Sequence, residues 1–209
     1  MKKAFVLIVL FVLPIVAYLF FASGVNNFGK LPVLTENVKE IDFSKDIRFK
    51  DKITVLGFLG TNVDSRKGNA FNLNQKIYKR FHEFNDFQFV MVVPNGTEDK
   101  VDEIKKELTT LSEIDKWNFV FATQEEIMAL YSSLKTDIQL DDRLGTSYVF
   151  IIDKNFKLRG RTKDEDEGTK YGFNSNSVAD LNNKMVDDIK IVLAEYRLAL
   201  KKNNTERFK

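Results

Sequence analysis

The chain of 209 residues has no cysteine and a single histidine, His82. Thiol–disulfide chemistry needs a thiolate, and soft-metal sites are built from thiolate and imidazole clusters, so composition excludes both. No disulfide and no lipid-modified cysteine anchor can form, and stability in an oxidising compartment must come from packing. Proline is scarce too, with three residues in all, and neither a proline-rich linker nor an internal repeat or low-complexity tract is present. No sign of charge dominates: 32 Lys plus Arg stand against 30 Asp plus Glu, a net charge of +2. Acids and bases are mixed along most segments, so the concentrated basic face of a nucleic-acid binder is missing. The basic end, Lys201, Lys202, Arg207 and Lys209, reads as a helix terminus and a frayed tail.

One long hydrophobic run is present. Lys2 and Lys3 precede an uncharged stretch of 19 residues from Ala4 to Ala22. At 1.5 Å per residue such a helix comes close to crossing a hydrocarbon core of roughly 30 Å, and it exceeds the about 7–15 residues of a signal-peptide core. The expectation is a retained transmembrane anchor, in which Pro14 is tolerated. The alternative is cleavage near Ala22, Ser23 and Gly24. Both readings export the remainder, and the two lysines favour a cytoplasmic N-terminus with the soluble part on the extracytoplasmic side, the periplasm in a bacterium. The expected organisation is an anchor at 1–24, a tether and lead-in at 25–45, a folded domain at 46–203 and a frayed tail at 204–209.

Within the domain, strands alternate with amphipathic helices, the pattern of a three-layer α/β arrangement. Ile53 to Leu59 and Phe87 to Val93 are continuous apolar runs of strand length, and the second stops at the turn-forming Pro94-Asn95-Gly96. Between them Leu73, Ile77, Phe81 and Phe84 fall on one face of a helix. Thr97 is positioned to cap a helix with Val101, Ile104, Leu108 and Leu111 as its buried stripe. Asn118 to Ala122 reads as a short strand. Thr123 and Glu126 then form a capping box before Ile127, Leu130, Tyr131 and Leu134. Ser147 to Ile152 is a further strand, turning at Asp153-Lys154-Asn155 into Phe156 to Arg161, and a long helix begins near Ser177.

This order, the N-terminal anchor, Gly57-Phe58 before a loop and helix, Tyr148-Val149-Phe150-Ile151-Ile152-Asp153 with its turn, and the final helix together resemble the Sco (SenC) proteins over most of Ile53 to Lys201. These are membrane-anchored, thioredoxin-like copper chaperones of cytochrome oxidase assembly. The resemblance implies a thioredoxin-like three-layer fold with a central mixed sheet, preceded by one transmembrane helix. It also implies a site of two cysteines three residues apart after the first strand, and a histidine before the later strand. Matching the strands puts Thr61 and Ser65 at the cysteine positions and Gly145 at the histidine position. Neutral hydroxyls do not replace thiolates at ordinary pH, so copper chaperoning and disulfide exchange do not carry over.

Other chemistries have weaker footing. Thr61, Asn62, Asp64 and Ser65 form a polar loop whose amides could hold an anion or simply cap a helix. A single histidine, expected on the helix surface, makes no triad. The acidic run Asp164-Glu165-Asp166-Glu167 lacks the alternating spacing of a calcium loop and reads as a solvated turn, with Asp137, Asp141 and Asp142 as further carboxylates. Tyr171 and Phe173 suit either a partner contact or packing on the core. No cofactor and no metal is expected. Two functions follow as expectations: a non-catalytic, membrane-tethered domain that binds or helps assemble an envelope protein, or an enzyme or hard-ion-binding protein with a rebuilt, cysteine-free site.

Overall fold

Apolar runs in which every residue is buried become central strands, and two of them organise this molecule: β2, after the short lead-in strand β1 (Val33–Thr35), spans Ile53–Leu59, and β3 spans Phe87–Pro94. The computed structural model describes residues 10–16, 18 and 29–207. β2 and β3 run parallel, with Ile53 opposite Phe87 and Phe58 opposite Val92, and β4 (Trp117–Ala122) extends the sheet in parallel beyond β3. On the other side of β2 lies β5 (Gly145–Ile152), antiparallel, followed by β6 (Leu158–Arg159) and then β1. β7 (Arg161–Asp164) and β8 (Gly168–Lys170) form a separate two-stranded hairpin, and β9 (Phe173–Asn174) returns to pair with Tyr148 and Val149 of β5. The main sheet is therefore mixed, in the order β1-β6-β5-β2-β3-β4.

Helices close both faces. α1 covers 63–81 as a 3-10 turn (Val63–Arg66), an α segment (Lys67–Leu73), a π turn (Asn74–Tyr78) and a last α turn (Lys79–Phe81). α2 is Glu98–Thr109 and α3 is Gln124–Ser133. α4 covers 178–207, with its own π turn at Leu181–Met185 packed beside that of α1. Successive strand residues point to opposite faces. Val55, Phe89, Val149 and Ile151 accordingly pack with α1, α2 and α4, whereas Leu56, Phe58, Val90 and Phe150 pack with α3.

The structure departs from the sequence expectations at several places. Within the segment expected as tether and lead-in, residues 29–45 supply β1 and the buried side chains Leu31, Val38 and Ile41. Phe84 and Leu111 lie just past the ends of their helices, 44% and 39% exposed, because the chain turns before another helical step can bury them. The expected strand Phe156 to Arg161 is interrupted after Arg159. Thr97 does not cap α2 with its side chain; its hydroxyl donates to the Pro94 carbonyl at 2.7 Å instead. Thr123 and Glu126 do form the reciprocal capping box, at 3.3 and 2.8 Å. Replacing Thr123 by Ala is expected to lower stability by about 1 kcal/mol in urea unfolding.

Among the described residues no helix is long and apolar enough to cross a membrane. Residues 10–16 and 18 are helical, and the rest of the expected anchor, with the alternative cleavage positions 22–24, lies outside the described residues. The side chains of Lys201, Lys202, Arg207 and Lys209 lie outside them as well.

Candidate functional site

The three positions Thr61, Ser65 and Gly145 lie on two loops that the fold ties together at the end of β2 and the start of β5. Gly60 makes the crossing possible. Its φ of +67° is in the glycine-favoured region, and a Cβ there would stand 2.5 Å from the Arg143 carbonyl oxygen. The Thr61 amide then donates to that same oxygen at 2.8 Å. Ser65 is spent on a local turn: its amide and hydroxyl donate to the Asn62 carbonyl at 3.2 and 2.8 Å.

The space between the loops belongs to Arg66. From the end of the 3-10 turn its guanidinium reaches β5 and the loop before it: Nη1 donates to Ser147 Oγ of the strand at 2.9 Å and Nη2 to Asp141 Oδ2 of the loop at 2.7 Å. A Cβ built on Gly145 would meet Arg66 Nε at 2.8 Å and the Leu59 carbonyl oxygen at 2.9 Å. The arginine and the Leu59 carbonyl together leave room only for a glycine. Asp141 completes the strut: its Oδ1 accepts from the amides of Arg143 (3.0 Å) and Gly145 (2.9 Å) and so shapes the loop that feeds β5.

Burial opposes ionisation of Asp141, but the Gly145 and Arg143 amides and the Arg66 guanidinium outweigh it and hold the carboxyl below its ordinary range. A folded-state pKa below the unfolded value gives stabilisation that is present above the unfolded pKa of about 3.9 and lost as pH falls through the folded one. Because Asp141 is half exposed the effect is modest. Asp141→Asn is expected to cost up to about 1 kcal/mol at pH 7 in urea unfolding, and the difference is expected to shrink as pH falls from about 4 through the lowered folded-state pKa.

Copper does not fit these residues. Gly145 offers no side chain, Ser65 and Thr61 offer only neutral hydroxyls, and the space between the loops is occupied by a guanidinium cation whose carboxylate neighbour is already bonded to it. The carboxylate cluster is likewise taken up. Lys184 bonds Asp164 and Asp166, each at 2.6 Å, and Lys170 bonds Glu167 at 2.6 Å. Among the described residues no group of three His, Cys, Asp or Glu side chains is placed to hold a metal ion. His82 is half-buried and stacked on Tyr78 at 5.4 Å, with Nδ1 3.2 Å from the Tyr78 carbonyl oxygen, which corrects its expected place on the open helix surface. Of the two readings open for these aromatics, Phe173 takes packing on the core, fully buried in β9, and Tyr171 is partly buried against the α3-side core. Arg66 is the residue that sequence reasoning missed. No motif marks it, since its role depends on a glycine and an aspartate more than seventy positions away.

No family model matches the chain, and no curated protein does. Solved structures do. A candidate protein disulfide isomerase of Bacteroides thetaiotaomicron aligns over 79% of this chain and 94% of its own, at 11% identity and a TM-score of 0.53. A candidate thiol:disulfide interchange protein DsbE of Chlorobium tepidum aligns over 78% and 99%, at 13% identity and a TM-score of 0.51. The fold is thioredoxin-like. The soluble domain of Sco1 from Bacillus subtilis also aligns, over 77% of this chain and 94% of its own, at 18% identity and a TM-score of 0.46, which adds nothing finer than the fold. Within this thioredoxin-like scaffold the loops after β2 and before β5 carry a hydrogen-bonded ion pair.

Proposed function

We propose that this chain is a non-catalytic, membrane-tethered thioredoxin-like domain that works on the extracytoplasmic side as a binding or assembly accessory for an envelope protein. The observation that carries the reading is the Arg66 guanidinium, seated against Gly145 and bonded to Asp141 and Ser147, in the place where the Sco resemblance expects ligands. An internal ion pair leaves no free ligand or nucleophile at the site and ties the two loops together, and a binding surface is best built on such rigid elements. The tether rests on Lys2, Lys3 and the apolar run that follows them. An enzyme or hard-ion site rebuilt without cysteine has less support, because the carboxylates it would use are bonded to Arg66, Lys170 and Lys184.

Photo-crosslinking in cells, from the exposed positions Thr61 and Asp142 on the two loops, tests this reading together with membrane fractionation of the full chain. One recurrent envelope-protein adduct from both positions, with the chain in the membrane fraction, is the expected result. A chain that stays in the soluble fraction and yields no discrete adduct contradicts it.

A further inference from the structure

The hairpin β7–β8 is unlike the rest of the domain in how it is held. Residues 161–170, Arg-Thr-Lys-Asp-Glu-Asp-Glu-Gly-Thr-Lys, contain no apolar side chain, and none of them belongs to either hydrophobic core. Charge does the holding, at three points along α4. Arg161 makes a paired contact with Asp188, Nε to Oδ2 at 2.8 Å and Nη2 to Oδ1 at 2.9 Å. Lys184 reaches Asp164 and Asp166, and the fully buried Lys170 reaches Asp180 at 3.1 Å as well as Glu167. Asp180 is shared, because its Oδ2 also accepts from the Asn174 amide at 2.7 Å.

Such pairs hold a segment only marginally. The desolvation of buried charges nearly cancels their attraction, and the pair to Asp166, a side chain 75% exposed, is open to screening by salt. The latch is also imperfect: Asp164 Oδ2 is buried without a hydrogen-bond partner, with Arg161 Nη1 3.6 Å away. Segments with few apolar contacts are those that open locally at low free energy.

The hairpin turn lies between two shallow depressions open to solvent. One, of about 510 Å³, is lined by Ile138, Thr146 and Tyr148; the other, of about 320 Å³, by Tyr148, Asn174 and Ser177. Glu167 and Tyr148 line both. We propose that β7–β8 is an electrostatically latched strap, held across Tyr148 by its ion pairs to α4, and that loss or screening of those charges lifts it and merges the two depressions into one cleft.

Amide hydrogen exchange on the full chain tests this. Lys184→Met is expected to speed exchange of the 162–169 amides about 10-fold while β2 and β3 keep their protection. Lys190→Met removes the same charge from the same helix, at an exposed pair with Asp187, and is expected to leave the hairpin within about twofold of the parent. Mass-mapped nitration of Tyr148 is expected to rise several-fold in Lys184→Met. Unchanged hairpin exchange, acceleration shared equally by β2 and β3, or Tyr148 nitration that does not rise would each overturn the proposal. If Lys184→Met does not fold, the parent protein carries the test: between roughly 0.05 and 0.5 M NaCl the hairpin amides are expected to exchange at least about threefold faster, and no change overturns it.

Discussion

Replacing Arg159 by Met is expected to lower the unfolding free energy by about 3–5 kcal/mol, the usual cost of leaving a buried charge without its partner. For a domain of this size that corresponds to a fall in Tm on the order of 10 °C. Arg159 is 5% exposed and Asp153, its partner at 2.9 Å, is 2% exposed. The same guanidinium donates from Nε to the Leu31 carbonyl at 2.9 Å and from Nη2 to both oxygens of Glu195, at 2.7 and 2.8 Å. Burial works against its charge, but Glu195 and Asp153 outweigh that and raise its pKa further. One side chain therefore binds the lead-in segment, the β5–β6 turn and α4 to each other. Asp153→Asn in the Arg159→Met background removes the stranded charge and is expected to return part of the loss. A loss below about 1 kcal/mol for Arg159→Met in denaturant unfolding would show that the cluster is not what joins these elements.

Gly145→His is the second large effect. Restoring a histidine where the Sco resemblance expects one is expected to cost about 3 kcal/mol, because its Cβ would lie 2.8 Å from Arg66 Nε and 2.9 Å from the Leu59 carbonyl oxygen. Arg66→Ala removes the first conflict and not the second. The double variant is thus expected to be destabilised by less than the sum of the two single changes, by about 1 kcal/mol or more, in a double-mutant cycle. Strict additivity would mean that Arg66 does not fill the space beside Gly145.

The parts of the fold legible in the sequence are those with strong local signals. Ile53–Leu59 and Phe87–Pro94 are apolar but for Thr54 and Gln88 and became central strands, and Ser177 does cap α4 through the Asp180 amide. β1 escaped notice because three residues give no periodicity, and its pairing with β6 depends on a partner more than a hundred positions away. The hairpin 161–170 escaped because a run of charges looks the same whether solvated or, as at Asp164 and Lys170, buried in ion pairs. At the candidate site the two loops could be located from the strands that precede and follow them. Its occupant could not, since Arg66 is an ordinary helix-start residue until Gly145, Ser147 and Asp141 are brought against it.

This thioredoxin-like scaffold holds an ion pair where the Sco resemblance expects a copper site, and a metal titration of the full chain distinguishes the two. Thermal unfolding with one equivalent of cuprous or cupric ion is expected to leave Tm within about 1 °C of the metal-free value, because a site without affinity gives no linkage stabilisation. A saturable rise of about 5 °C or more at one equivalent, the size expected when the ligand stands at about 100 times its Kd, would mean that the chain holds a copper site after all.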